Sequence, residues 1–385
     1  MASTAAGLVE RDDGNGRAEP GRVCVRPPSV HAGLMASTAA GLVERDDGNG
    51  RAEPGRVCVR PPAVHAGLMA PVTMTIAFLF PGQGSQTVGM GKAFYQTSPG
   101  AKAIFEEANA ALGFDLTRLA FEGPDTELAL TANTQPAVLT ASVAAATACA
   151  ERGLKPALTA GHSLGEYSAL VVAGALRFAD AVRIVRRRGE LMQDAVPVGT
   201  GAMAAIMGIE LAAVEGVCAE AAQGEVVEIA NVNSSLQIVI AGHRAAVERA
   251  VGLATARGGK MSVMLPVSAP FHCSLMAPAG VKLAPELDAI TVTDPTLPVV
   301  RNVDGGVTRR AQDVRPFLLK QVASPVRWTD CVQRLAGEGA TAYVEVGPGR
   351  VLSGLVRRIV NGARGQSVED PAGVDRALAA VGVGA

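Results

Sequence analysis

The pentapeptide Gly161-His162-Ser163-Leu164-Gly165 fits the pattern G-x-S-x-G, with an apolar run before it and a helical pattern after it. In a strand-to-helix turn of this kind, two glycines permit a tight backbone that lifts a serine hydroxyl above the sheet edge. The amide of the next residue, Leu164, then points from a helix N-terminus toward a developing oxyanion. The chemistry implied is nucleophilic attack by Ser163 on an acyl group.

A serine hydroxyl needs a base, usually histidine. The chain has five histidines, and His31 and His65 lie in an N-terminal repeat. His162 is adjacent to the nucleophile, so its ring should point away from Ser163 Oγ. His243, in A-G-H-R, ends a strand and reads as an exposed turn residue. His272 follows Pro270 at a strand end facing the expected cleft, and elimination makes it the base. The acids between Ser163 and His272, Glu166 among them, fall mostly on helices, and none occupies a strand-end loop. This weakens an ordinary Ser-His-acid triad and leaves room for a dyad whose histidine is oriented by a carbonyl.

Two further segments could contribute. Phe80-Pro81-Gly82-Gln83-Gly84-Ser85-Gln86 is a glycine-rich loop after a short apolar run; it lacks G-K-[ST] and the dinucleotide spacing, so nucleotide binding is not expected. Such a loop can supply a second oxyanion amide. Arg183, Arg186, Arg187 and Arg188 share one helical segment. A run like this is ordinarily a solvated face, but one guanidinium turned inward would pair bidentately with a carboxylate on the acyl group.

The elements that must hold these residues alternate. Ile76–Phe80 and Pro156–Ala160 read as buried strands, with helices between them, from Gln135 to Arg152, and over Ala179–Ala195. This implies a mostly parallel sheet covered on both faces. Residues 199–268 read as β-α-β-β-α-β, a ferredoxin-like unit, with N-V-N-S-S-L-Q supplying its hairpin turn. The α/β pattern resumes after His272. The expected organisation is a hydrolase-like α/β domain of residues 75–198 and 269–365, a small ferredoxin-like domain of residues 199–268 inserted into it, and a C-terminal tail of residues 366–385.

Composition narrows the function classes. With 35 basic against 36 acidic residues and 3% aromatics, the 385-residue chain has no footprint for nucleic acid. Its longest weakly polar stretch, Ala137–Ala150, is short of the roughly 20 residues that span a bilayer and reads as a buried Ala-rich helix. The six cysteines show no C-x-x-C pair or metal-ligand spacing and read as free cytosolic thiols. Residues 1–34 and 35–68 are the same sequence except Ser29 against Ala63. Lacking helical periodicity and broken by D-D-G-N-G and R-P-P, the pair reads as a disordered tail outside the fold, with the natural start at Met69 or Met74.

Together the motifs resemble the malonyl-CoA:acyl-carrier-protein transacylases, relatives of polyketide synthase acyltransferase domains. F-P-G-Q-G-S-Q at 80–86, G-H-S-L-G-E-Y-S-A-L at 161–170, R-G-E-L-M at 188–192, P-V-S-A-P-F-H at 266–272 and E-V-G-P-G at 345–349 stand in family order. The resemblance implies Ser163 as nucleophile, His272 as base, and the amides of Gln83 and Leu164 as the oxyanion hole. It implies Arg188 as the partner of the malonyl carboxylate and Gln321 as the residue whose carbonyl orients the histidine. Asn231 and Asn233 match small-domain asparagines near the substrate channel. Phe271 stands where many stand-alone members have a small residue, a pattern similar to malonyl-selective polyketide acyltransferases. The expected reaction is ping-pong transfer from malonyl-CoA to acyl carrier protein by a cytoplasmic monomer, with no metal or redox cofactor, no nucleic acid and no membrane. A serine esterase or thioesterase using the same dyad is the alternative, and a non-catalytic carrier-binding module a third reading.

Overall fold

The computed structural model describes residues 74–382, and the N-terminal repeat lies outside the described residues. In chain order the strands are β1 (Ile76–Phe80), β2 (Leu158–Gly161), β3 (Gly201–Met207), β4 (Val227–Ser234), β5 (Gln237–His243), β6 (Met261–Met264), β7 (Val299–Val300), β8 (Val307–Thr308), β9 (Ala342–Val346) and β10 (Gly365–Val368). They form two sheets. The larger has the order β10-β9-β1-β2-β7-β8, parallel except for β8. Its growth reverses at β1, from β2 on one side to β9 on the other. Ligands of such sheets bind outside the carboxyl ends of the strands at this reversal.

β1 is buried along its whole length, as a central parallel strand must be. Its side chains alternate between two cores. Phe78 and Phe80 join Phe94, Phe105 and the helix Thr131–Glu151 on one face, while Ala77 and Leu79 meet Trp328, Val332 and Leu355 on the other. Pro81-Gly82 ends the strand and turns the chain into the site. The helix Thr131–Glu151 is buried nearly all round, as its Ala-rich sequence requires, but begins a turn earlier than Gln135. Pro136 inside it removes a single N–H, and the preceding turn is held by the Thr134 hydroxyl donating to the Leu128 carbonyl at 2.6 Å.

Between the helices Phe178–Asp194 and Ala277–Ala289 lies the second sheet, antiparallel, in the order β4-β5-β3-β6. The helices Leu211–Ala222 and Arg244–Ala256 cover one face. Met203, Ala230, Val239 and Ala241 on the other face join the core of the large sheet. The β-α-β-β-α-β reading holds, with one correction. Only Ser235 and Leu236 turn the hairpin; Asn231 and Asn233 belong to β4, where register shifts after Ile229 and Val232 re-aim successive side chains.

The C-terminal segment is not a tail. β10 pairs with β9, and Val374, Ala377 and Val381 of the helix Pro371–Val381 enter the main core. The signal was weak because G-Q-S-V is a short edge strand with one fully buried apolar side chain, Val368. Among the described residues, no helix is long and apolar enough to cross a membrane.

Candidate active site

The segments that follow the carboxyl ends of β1 and β2 line one cavity of about 440 Å³, closed on its other side by β3 and the segment after β6. Ser163 sits on the turn between β2 and the helix Gly165–Val172 with φ 54°, a left-handed conformation costly for a residue with a Cβ. The turn is possible because its glycines have no side chain. A Cβ on Gly161 would lie 1.9 Å from the Gly165 carbonyl carbon, and one on Gly165 would lie 2.1 Å from the Phe80 carbonyl oxygen. Asn302, at the end of β7, fastens the elbow: its Oδ1 accepts from the Ser163 N–H at 2.6 Å and its Nδ2 donates to the Gly161 carbonyl at 2.7 Å.

His272 also has a positive φ, 62°, a conformation that no local residue pattern foretells. Its Nε2 is 2.6 Å from Ser163 Oγ, and its Nδ1 is 3.0 Å from the main-chain carbonyl of Gln321. A carbonyl can only accept, so Nδ1 carries the proton and Nε2 is the free base. Burial and the nearby Arg188 charge push His272 down to about 3, which keeps the ring neutral at ordinary pH. Among the described residues no acid completes a triad; a main-chain carbonyl takes that place.

Among the four clustered arginines, Arg188 alone turns inward. Arg183 pairs with Asp180, Arg186 and Arg187 share Glu190, and Arg187 also reaches Glu286. Arg188 is 2% exposed, in phase with buried Val185 and Met192 on the helix Phe178–Asp194. Its Nη1 donates to Gln135 Oε1 at 2.7 Å, and its Nη2 donates to Gln321 Oε1 at 3.0 Å and to Ser163 Oγ at 3.1 Å. The ring of Tyr167 lies 5.6 Å from the guanidinium carbon. Periodicity within the helix could have singled out Arg188; nothing in the sequence marked Gln135 or Asn302.

The remaining expected residues divide. Gln83 and Leu164 line the cavity, and among the described residues neither main-chain N–H donates to an internal acceptor. The Gln83 side chain is held by the Thr131 hydroxyl at 3.0 Å. Asn231 and Phe271 line the cavity; Asn233 instead lies against His162, Oδ1 to Nε2 at 2.9 Å. His162 packs on Trp328, bonds Asn233 and also lines the cavity, while the ring within hydrogen-bond reach of Ser163 Oγ is that of His272. His243 is half-buried rather than exposed, its Nδ1 accepting from the Val226 N–H at 2.9 Å. Cys273 is buried with its thiol pushed up to about 12, which leaves it no thiolate to compete with Ser163. Met203, Leu265, Pro266, Val267 and Phe271 make the opposite wall apolar. Among the described residues, no three His, Cys, Asp or Glu side chains cluster to hold a metal.

The family described as "Acyl transferase domain" matches residues 77–376. The chain is 52% identical over 303 residues to the malonyl CoA-acyl carrier protein transacylase of Escherichia coli K12, covering 78% of this chain and 98% of that protein. An acyl carrier protein S-malonyltransferase from Vibrio cholerae superposes with a TM-score of 0.77 at 48% identity, covering 78% of this chain and 99% of that one. A malonyl-transacylase solved in complex with a type II PKS acyl-carrier protein superposes at 0.78 with 46% identity, covering 80% and 99% of the two chains.

Proposed function

This chain belongs to the acyl transferase domain family, and from that premise we propose that it moves a malonyl group from malonyl-CoA to the phosphopantetheine thiol of an acyl carrier protein, through a malonyl ester on Ser163. The observation that carries this reading is Arg188, a buried guanidinium 3.1 Å from the nucleophile. Malonyl differs from acetyl by one carboxylate. Burying that carboxylate unpaired costs several kcal/mol, whereas a planar guanidinium satisfies both its oxygens. An arriving carboxylate replaces Ser163 as an acceptor of Arg188 and frees Oγ for attack.

In the first half-reaction His272 Nε2 takes the Ser163 proton as Oγ adds to the thioester carbon. The N–H groups of Gln83 and Leu164 receive the oxyanion. The C–S bond breaks, and His272 returns the proton to the departing CoA sulfur. In the second, the carrier thiol gives its proton to His272 and attacks the Ser163 ester; collapse expels Oγ, which recovers the proton. These steps are complete with the protein's own groups. Asn231 and Phe271 are assigned to the substrate channel, Asn233 to holding His162 beside it, and the same reading takes the protein as a cytoplasmic monomer.

The test compares malonyl transferred to holo carrier protein with free malonate released. Transfer dominating supports the reading, and release dominating makes the protein a hydrolase. Mass analysis after mixing with malonyl-CoA should find one malonyl group on the G-H-S-L-G peptide.

A further inference from the structure

Glu166 is a buried acid beside the reacting groups that the acyl transfer steps leave without a task. It is 3% exposed, in the first turn of the helix after the elbow. A single oxygen, Oε2, accepts from the Asn302 main-chain N–H at 3.0 Å and from Gln321 Nε2 at 2.7 Å. The Gln321 Nε2 also donates to the Ser163 carbonyl at 3.0 Å. At the other end of the same carboxamide, Oε1 accepts from Arg188 Nη2 at 3.0 Å.

The two ends of Gln321 therefore face unlike groups, an acceptor oxygen on Glu166 and a donor nitrogen on Arg188. Turned over, the carboxamide would set its oxygen against Glu166 Oε2, an atom that the Asn302 N–H fixes as an acceptor, and its NH₂ against the Arg188 guanidinium. Both contacts would be repulsive in a site where burial removes the compensation of water. The Ser163 carbonyl already accepts from the Glu166 main-chain N–H, so it is a weaker anchor for the amide than the carboxylate.

We propose that Glu166 is a positioning residue: it holds Gln321 in the orientation that presents Oε1 to Arg188, and thereby sets the guanidinium for the carboxylate of the incoming acyl group. The inference rests on the malonyl-transfer reading and adds a determinant of its selectivity. It predicts that Glu166 acts on the choice between malonyl and acetyl, not merely on stability.

The experiment measures kcat/KM for malonyl-CoA and acetyl-CoA in the full chain, with the burst of CoA release counting competent sites. Per competent site, Glu166→Ala should lose malonyl transfer by about 10–100-fold, the scale of a misplacement near 1 Å, while acetyl transfer falls much less. A purely structural role would lower the number of sites and leave the malonyl-to-acetyl ratio intact. Glu166→Gln keeps an oxygen within reach of both donors and should retain most of the preference. Glu166→Asp keeps the charge but withdraws the oxygen and should lose more of it. This contrast holds even if Glu166→Ala does not fold. An unchanged ratio in Glu166→Ala, or Glu166→Asp retaining a preference that Glu166→Gln loses, would overturn the proposal alone. A wild-type enzyme that transfers no malonyl would overturn the functional reading and this inference with it.

Discussion

The two walls of the cavity are built on opposite principles. One, from the large sheet and its helices, is polar and over-determined: Ser163, His272 and Arg188, with Gln321 and Asn302 buried behind them, share hydrogen bonds so that each is fixed by at least two others. The other, from β3 and the segment after β6, offers Met203, Leu265, Pro266 and Val267, which make no directional contacts with the reacting atoms. The difference separates two tasks. The polar wall orders charges before substrate arrives, the arrangement that lowers reorganisation cost. The apolar wall excludes water, which strengthens those charges and limits shape.

The comparison is broken most severely on the polar wall. Ser163→Ala should abolish the malonyl adduct altogether, and His272→Ala should slow acylation by about 10²–10⁴-fold, both read by mass and by stopped-flow CoA release. An adduct retained in Ser163→Ala and mapped to Cys273 would reject the assigned nucleophile. Next in size, Arg188→Ala should lose malonyl transfer by at least about 10²-fold, roughly 3 kcal/mol, and keep or gain acetyl transfer. Arg188→Lys should not restore it fully, because a point charge lacks the planar fork. Equal loss of both acyl groups would reduce Arg188 to a structural residue.

Phe271 joins the apolar wall beside His272, and its effect should be smaller. Phe271→Ser should narrow the preference for malonyl over methylmalonyl by about 10-fold, within the range that one methyl group commands in a tight pocket. Competition assays with the two CoA esters measure it, and a wild type using both equally would remove crowding as the cause.

Finer still is the pH response. The base must be neutral, so activity is lost as pH falls through the pKa of His272 in the folded enzyme. Burial first, and the Arg188 charge second, hold that value near 3. Removing the charge raises it, so the acid limb of kcat/KM for acetyl-CoA should move to higher pH in Arg188→Ala than in wild type. An unmoved limb would mean that burial alone sets the base. Smallest is a stability effect at Glu166, pushed up to about 7 chiefly by burial. A carboxyl whose folded pKa exceeds its unfolded one contributes stability below the unfolded value and loses it as pH rises through the folded value. Glu166→Gln lacks that loss. Its melting temperature relative to wild type should therefore rise by a few degrees between about pH 5 and 8, and a constant difference would contradict the raised pKa.

The sequence alone determined the tight turn that presents Ser163, because the elbow is local: the glycines at 161 and 165, a strand before and a helix after leave little choice of geometry there. It also determined the alternation of strands and helices and the inserted β-α-β-β-α-β unit, since these depend on periodicity within each element. His272 was legible by elimination, and motif order supplied Arg188, Gln83 and Gln321. Helical phase would have separated Arg188 from its neighbours unaided. The tertiary structure alone decided what joins them. Asn302 and Gln135 have no local signature, and Glu166 looked like one helical acid among many. Their roles arise only when the ends of β2 and β7 and the helices carrying Gln135, Arg188 and Gln321 meet in one buried place. There, away from water, every polar group must find its partner in another part of the chain. The same reason explains the two misread segments. The β4 asparagines were separated by shifts in pairing register, and β10 was recruited to the sheet by its neighbour β9 rather than by any strong pattern of its own.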